Sequence, residues 1–126
     1  MSDLDYFKQI NDKYGHAAGD WALRRTVEVC RNFLRSDDVF GRIGGEEFAI
    51  LLPNCQSDKA YLVADICRDA IYQIDTEASG YSFKLSASFG IASTQISGYH
   101  LTKLVEDADT AMYQAKQQGR NRVQVF

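Results

Sequence analysis

Two carboxylates follow directly on two glycines in Arg42-Ile43-Gly44-Gly45-Glu46-Glu47-Phe48, and a second acidic pair, Asp3 and Asp5, stands one residue apart near the chain start. Hard oxygen donors of this kind suit divalent cations and, through them, phosphates. Glycine allows the positive φ angles of a tight primed turn, and its missing Cβ lets phosphates come close to the backbone. Lys116 and Arg120 are four residues apart across a predicted helix end, so both cations can reach toward one point. Each feature alone has a plainer reading, as a solvated turn or as ordinary surface charge. An EF-hand is excluded, because Phe7 and Lys8 occupy the places of its third acid and central glycine.

These residues need elements to hold them. Val39 to Ile43 and Phe48 to Leu52 read as two arms of a β-hairpin, the second apolar enough to be buried on both faces in the middle of a sheet before Pro53 stops it. Asp3 ends a strand of which little precedes it. Tyr6 to Asn11 has the spacing of a helical turn, Gly15 interrupts it, and Asp20 is a candidate N-cap for a helix whose apolar stripe is Leu23, Val27, Cys30 and Leu34. Ser57 is placed to cap a helix with the stripe Val63, Ile66, Cys67, Ala70, Ile71 and Ile74. From Phe83 to Ile91 apolar residues alternate with Lys84, Ser86, Ser88 and Gly90, as in a half-buried strand. Leu101 to Ala115 marks a last helix, its Met and Tyr read as core, with Gly119 as a left-handed cap and Arg122 to Phe126 as a final strand.

The chain of 126 residues is one domain of average charge content. A formal charge of −3 argues against a non-specific grip on a nucleic-acid polymer. Cys30, Cys55 and Cys67 lack metal-ligand spacing and read as reduced thiols of a cytoplasmic domain. No run of 18 apolar residues occurs, so this segment makes no direct membrane contact, although a parent protein can be anchored elsewhere.

Four stretches in order, Asp3-Leu4-Asp5-Tyr6-Phe7-Lys8-Gln9-Ile10-Asn11-Asp12, Gly15-His16-Ala17-Ala18-Gly19-Asp20, the double-glycine motif and Ala115-Lys116-Gln117-Gln118-Gly119-Arg120-Asn121, closely resemble the GGDEF family of diguanylate cyclases. The resemblance spans the whole chain. It implies an α+β fold, palm-like as in nucleotide cyclases and ferredoxin-like domains, with a mainly antiparallel central sheet flanked by helices. It also implies condensation of two GTP into cyclic di-GMP and pyrophosphate, each domain of a homodimer supplying a half-site. Asp3, Glu46 and the Leu4 carbonyl would hold two Mg2+ or Mn2+ ions, with Glu47 beside them. Two carboxylates about 4 Å apart repel by roughly 4 kcal/mol at a surface-like dielectric, so an Asp3, Glu46 and Glu47 cluster is tolerable mainly beside divalent metal.

By the same likeness Asn11 and Asp20 would read guanine, and Lys8, Lys116 and Arg120 would hold the phosphates. Phe7 would line the phosphate cradle beside Gly44 and Gly45. Arg35 and Asp38 match the family's product-inhibition motif, Arg-x-x-Asp, and would bind cyclic di-GMP, with Arg68 a candidate neighbour. The family's domain begins several tens of residues earlier, so residues 1–126 read as an N-terminally truncated domain. Its central first strand is then absent, very short or supplied by another chain, and an open slot invites strand exchange. An upstream sensory or receiver domain is expected in the native protein. The alternative reading is a catalytically silent module that binds GTP or cyclic di-GMP for a signalling partner.

Overall fold

The computed structural model describes residues 1–126. Its sheet has five strands, β1 (Ser2–Leu4), β2 (Val39–Gly44), β3 (Glu47–Leu51), β4 (Ala87–Ile91) and β5 (Val123–Val125), in the order β2-β3-β1-β4-β5. Three of the four pairings are antiparallel and the last, β4 with β5, is parallel, so the sheet is mixed. The first strand is present but only three residues long. It sits at the centre, with Asp3 opposite Glu47 on one side and Ser88 on the other.

Helices α1 (Phe7–Tyr14), α2 (His16–Arg31) and α3 (Ser57–Tyr72) meet one face of the sheet, while α5 (Leu101–Gln117) covers the other; α4 (Thr94–Ser97) is a single turn before it. Period-two alternation decides which side chain meets which helix. Leu4, Phe48, Ala87 and Phe89 join Ile10, Leu23, Cys30, Cys67 and Ile71 in one core. A buried Leu or Ile contributes about 1.5–3 kcal/mol to such a core. Asp3, Ser88 and Gly90 point the opposite way, toward α5. At Gly90 a Cβ would run into the Ala108 carbonyl and lie 2.8 Å from Met112 Cα, so the glycine sets how closely α5 approaches. Contact with the Cys67 thiol, then burial, holds the Cys30 thiol well above the usual range, and both side chains are buried.

Several local expectations are corrected. The hairpin occupies the sheet edge, and β3 buries only Phe48 fully; Ile50 and Leu51 border an open apolar groove of about 700 Å³. Conversely, β4 is buried on both faces instead of one, because Ser88 finds a polar partner inside and Gly90 abuts α5. Neither Gly44 nor Gly45 takes a positive φ: the tip turns through a register irregularity between Arg42 and Gly44, with Arg42 Nε donating to the Gly45 carbonyl at 2.9 Å. Asp20 lies inside α2, whose N-cap is Gly15, and α3 is capped at Gln56, not Ser57, without a side-chain bond. Ile66 and Tyr113, expected in the core, are 47% and 61% exposed, because each falls just off the buried stripe of its helix.

Candidate functional site

Strand register creates the first part of the site. Pairing of Asp3 with Glu47 sends both carboxylates to the same face, and the Leu4 amide donates to the Glu46 carbonyl at 3.3 Å, tying β1 to the hairpin tip. Asp3 and Glu47 open into a cavity of about 430 Å³ whose far wall is Asp109, Thr110, Met112, Tyr113 and Lys116 of α5. That volume falls within the range of about 300–1,000 Å³ usual for small-molecule sites. Burial pushes the Asp3 carboxyl up to about 6; Lys116 opposes the rise, and the charges of Glu46 and Glu47 add to it. Asp3 Oδ1 is buried without any hydrogen-bond partner.

Behind Asp3 lies a second acid. The Asp5 carboxylate is fully buried: Oδ1 accepts from Ser88 Oγ at 2.7 Å, and Oδ2 accepts from Ser86 Oγ at 2.7 Å and the Asn121 amide at 3.0 Å. Lys116 Nζ lies 3.5 Å from both Asp3 Oδ2 and Asp5 Oδ1, and Arg120 Nη1 lies 4.0 Å from Asp5 Oδ1. The two cations thus do converge on one region. The Arg120 guanidinium also sits 4.6 Å from the centre of the Tyr6 ring.

A third cluster joins α1 and α2. Helix α2 passes so close to α1 at Gly19 that an added Cβ would overlap Asn11 Oδ1 and stand 2.8 Å from Asn11 Cγ and 3.2 Å from Phe7 Cζ. Asn11 Oδ1 is buried there without a partner. Asp20, the next residue after Gly19, is exposed, as is Lys8, which makes no ion pair. Phe7 is half-buried against the core. At the hairpin tip, Gly44 and Gly45 face open space: a methyl group added to either would have no neighbour within 4 Å.

Arg35 and Asp38 form a unit of their own. Arg35 Nη2 donates to Asp38 Oδ1 at 3.0 Å and to the Pro53 carbonyl at 2.7 Å, while the Arg35 amide donates to Asp38 Oδ2 at 2.7 Å. Burial alone would push the Asp38 carboxyl up, and Arg35 more than offsets it, leaving it below its ordinary value. Arg68 belongs elsewhere, bound to Asp65 at 2.8 Å and to Asn121 Oδ1 at 3.1 Å.

Of the buried side-chain oxygens that lack a partner, Asp3 Oδ1 and Asn11 Oδ1 are two and Thr26 Oγ1 is the third. Orphan buried acceptors cost about 1–3 kcal/mol each unless water or a ligand satisfies them, and of the three only Asp3 Oδ1 borders the open cavity. An acid with an open lone pair, crowded by two further carboxylates, fits a divalent cation. No three His, Cys, Asp or Glu side chains close into a protein cage. Asp3, with Glu46 and the Leu4 carbonyl, would be the residues to hold a magnesium ion, whose remaining oxygen ligands would then come from outside the protein. Asp109 and Tyr113, which join the expected Lys116 in this wall, were not anticipated as site residues from the sequence, although the i, i+4, i+7 spacing of the three puts them on one helical stripe.

The model for the family described as diguanylate cyclase, GGDEF domain, matches residues 1–122. Diguanylate cyclase A of Treponema denticola is 38% identical over 123 residues, which cover 98% of this chain and 33% of that protein. The chain thus spans about a third of the length of this curated relative. The active GGEEF domain of a diguanylate cyclase from Vibrio cholerae superimposes with a TM-score of 0.91 at 29% identity, over 99% of this chain and 79% of that one. The GGDEF domain of DgcB from Caulobacter crescentus, solved in complex with c-di-GMP, gives 0.87 at 29% identity, over 98% and 74%.

Proposed function

Given that the chain belongs to the GGDEF family of diguanylate cyclases, we propose that it condenses two GTP molecules into cyclic di-GMP, each chain of a homodimer presenting one nucleotide to the other. The observation that carries this reading is the pair of buried, unpartnered acceptors, Asp3 Oδ1 and Asn11 Oδ1, at the two places where a metal-bound guanine nucleotide would need them.

In each half-reaction the 3′-oxygen of one GTP attacks the α-phosphorus of the other, the bond to the β-phosphate oxygen breaks, and pyrophosphate leaves. Asp3, Glu46 and the Leu4 carbonyl would hold two magnesium or manganese ions. When bound, they supply positive charge that acidifies the hydroxyl and neutralises the triphosphate. Glu47, strand partner of Asp3, takes the hydroxyl proton. Asn11 pairs with guanine, its Nδ2 donating to a base acceptor and its Oδ1 accepting from the exocyclic amine, while Asp20 accepts from N1–H and the same amine, an arrangement that adenine does not present. Lys8, Lys116 and Arg120 hold the phosphates, each charge-assisted contact contributing about 1.5–3 kcal/mol. Phe7 and the open Gly44–Gly45 tip border the phosphate path. Cyclic di-GMP binds in turn at Arg35 and Asp38, where it slows the dimer.

Incubation with GTP and magnesium, followed by chromatography of the nucleotides, tests the enzyme. Cyclic di-GMP appears with the wild type and is abolished in Glu46→Gln. GTP left intact by a folded, nucleotide-binding sample would instead establish a silent receptor.

A further inference from the structure

Asp5 has no task in the reaction above, yet it is the carboxylate around which the phosphate-side residues are gathered. Building on the reading that Lys116 and Arg120 hold the triphosphate, we propose that Asp5 is a positioning residue for phosphate binding: from inside the protein it aims both cations at the nucleotide while leaving most of their donors free.

The short bonds to Asp5 all come from neutral donors. Ser86, Ser88 and the Asn121 amide take its oxygens at 2.7, 2.7 and 3.0 Å, which fixes the plane of the carboxylate. Lys116 and Arg120 stand farther off, at 3.5 and 4.0 Å, beyond the roughly 2.7–2.9 Å of a direct charge-assisted bond. Lys116 donates only a long bond to Asp5 Oδ1, at 3.5 Å, and Arg120 makes only an ion pair, at 4.0 Å, so both feel the negative charge and keep further N–H groups for a ligand. Lys116 is also equidistant from Asp3 and Asp5, at 3.5 Å from each. Without the charge on Asp5, nothing balances the pull of Asp3, and Lys116 would swing toward the metal-binding acid.

Backbone conformation gives an independent sign. Four non-glycine residues of the chain have positive φ, and three surround Asp5: Tyr6 at 56°, Arg120 at 65° and Asn121 at 46°. Residues with a Cβ seldom adopt this region and remain there only when the surroundings over-determine them. The Asn121 amide bond to Asp5 is one such restraint, and the Tyr6 ring against the Arg120 guanidinium is another. Together they turn the chain after α5 so that Arg120 faces back over the site.

Calorimetric titration of Asp5→Asn with GTP and with guanosine tests this. GTP affinity should fall about tenfold or more, the scale of one charge-assisted contact, while guanosine affinity stays the same. A purely structural role would lower both together with the melting temperature, and unchanged GTP affinity would also overturn the proposal. Lys116→Ala and Arg120→Ala, titrated in parallel, separate the two levels. If they leave GTP affinity intact, the assignment of phosphate contacts fails; if they weaken it and Asp5→Asn does not, only the positioning role fails. Should Asp5→Asn not fold, Ser86→Ala keeps the charge and frees one oxygen; a loss confined to GTP is expected, and wild-type affinity for GTP would refute the role.

Discussion

Replacing Gly19 by alanine should leave the fold standing and remove recognition of the base. The added methyl would overlap Asn11 Oδ1, sit 2.8 Å from Asn11 Cγ and 3.2 Å from Phe7 Cζ. Asn11 is the part that can give way, and moving its amide off a preferred rotamer costs about 0.5–1.5 kcal/mol. Against that, Gly→Ala inside a helix gains about 1 kcal/mol, so the two effects nearly cancel and the melting temperature should move by only about 5 °C or less. The nucleotide site has no such compensation. Loss of a donor and an acceptor toward guanine, at about 1 kcal/mol each, lowers GTP affinity by roughly thirtyfold and leaves ATP affinity as it was. Thermal melting together with competition titrations of GTP and ATP measures both halves. A Gly19→Ala variant that melts normally and still prefers GTP as strongly as wild type would refute the placement of guanine at Asn11.

The acid cluster should impose a pH dependence. Asp3 titrates at about 6 in the folded chain and near its ordinary value of 3.8 when unfolded. Between those values the folded state holds the extra proton, so stability falls as pH rises through the window, by at most about 3 kcal/mol and by less to the extent that solvent at the open cavity screens the charge. Denaturant titrations at pH 5 and pH 7 should show the last part of this loss, about 1 kcal/mol, in the wild type and not in Asp3→Asn, and magnesium with GTP should restore the wild type at pH 7; a flat profile would contradict the buried charge. At the second site, Arg35→Ala should weaken cyclic di-GMP binding and relieve inhibition by product, and unaltered calorimetric affinity would remove that assignment.

Much of the fold was legible because its elements carry clear periods. The stripe of α2 and the Gly119 helix end appear close to where the pattern put them, while the strand expected over Phe83 to Ile91 forms only over Ala87–Ile91 and is buried on both faces. What failed were inferences that needed a neighbour. Leu51 and Ile50 are apolar, but only packing decides whether anything lies over them. Caps failed for a related reason: His16 begins α2 directly after Gly15, so Asp20 was never at its boundary. Within the site, the acids and cations could be named from motifs, whereas the role of Gly19 depends on a helix crossing and that of Asp5 on β4 and the loop after α5. Tyr113 was misread because it lies at the edge of a buried stripe and faces the cavity instead.

The central claim is that acids from two distant parts of the chain act on one metal-bound nucleotide. Electron paramagnetic resonance of free Mn2+ during titration with protein and GTP measures this directly. Nucleotide-dependent uptake of manganese should be strong in the wild type and be lost in Asp3→Asn and in Glu46→Gln alike. Full uptake by either variant, in a sample that remains folded, would show that the two acids do not share the ion.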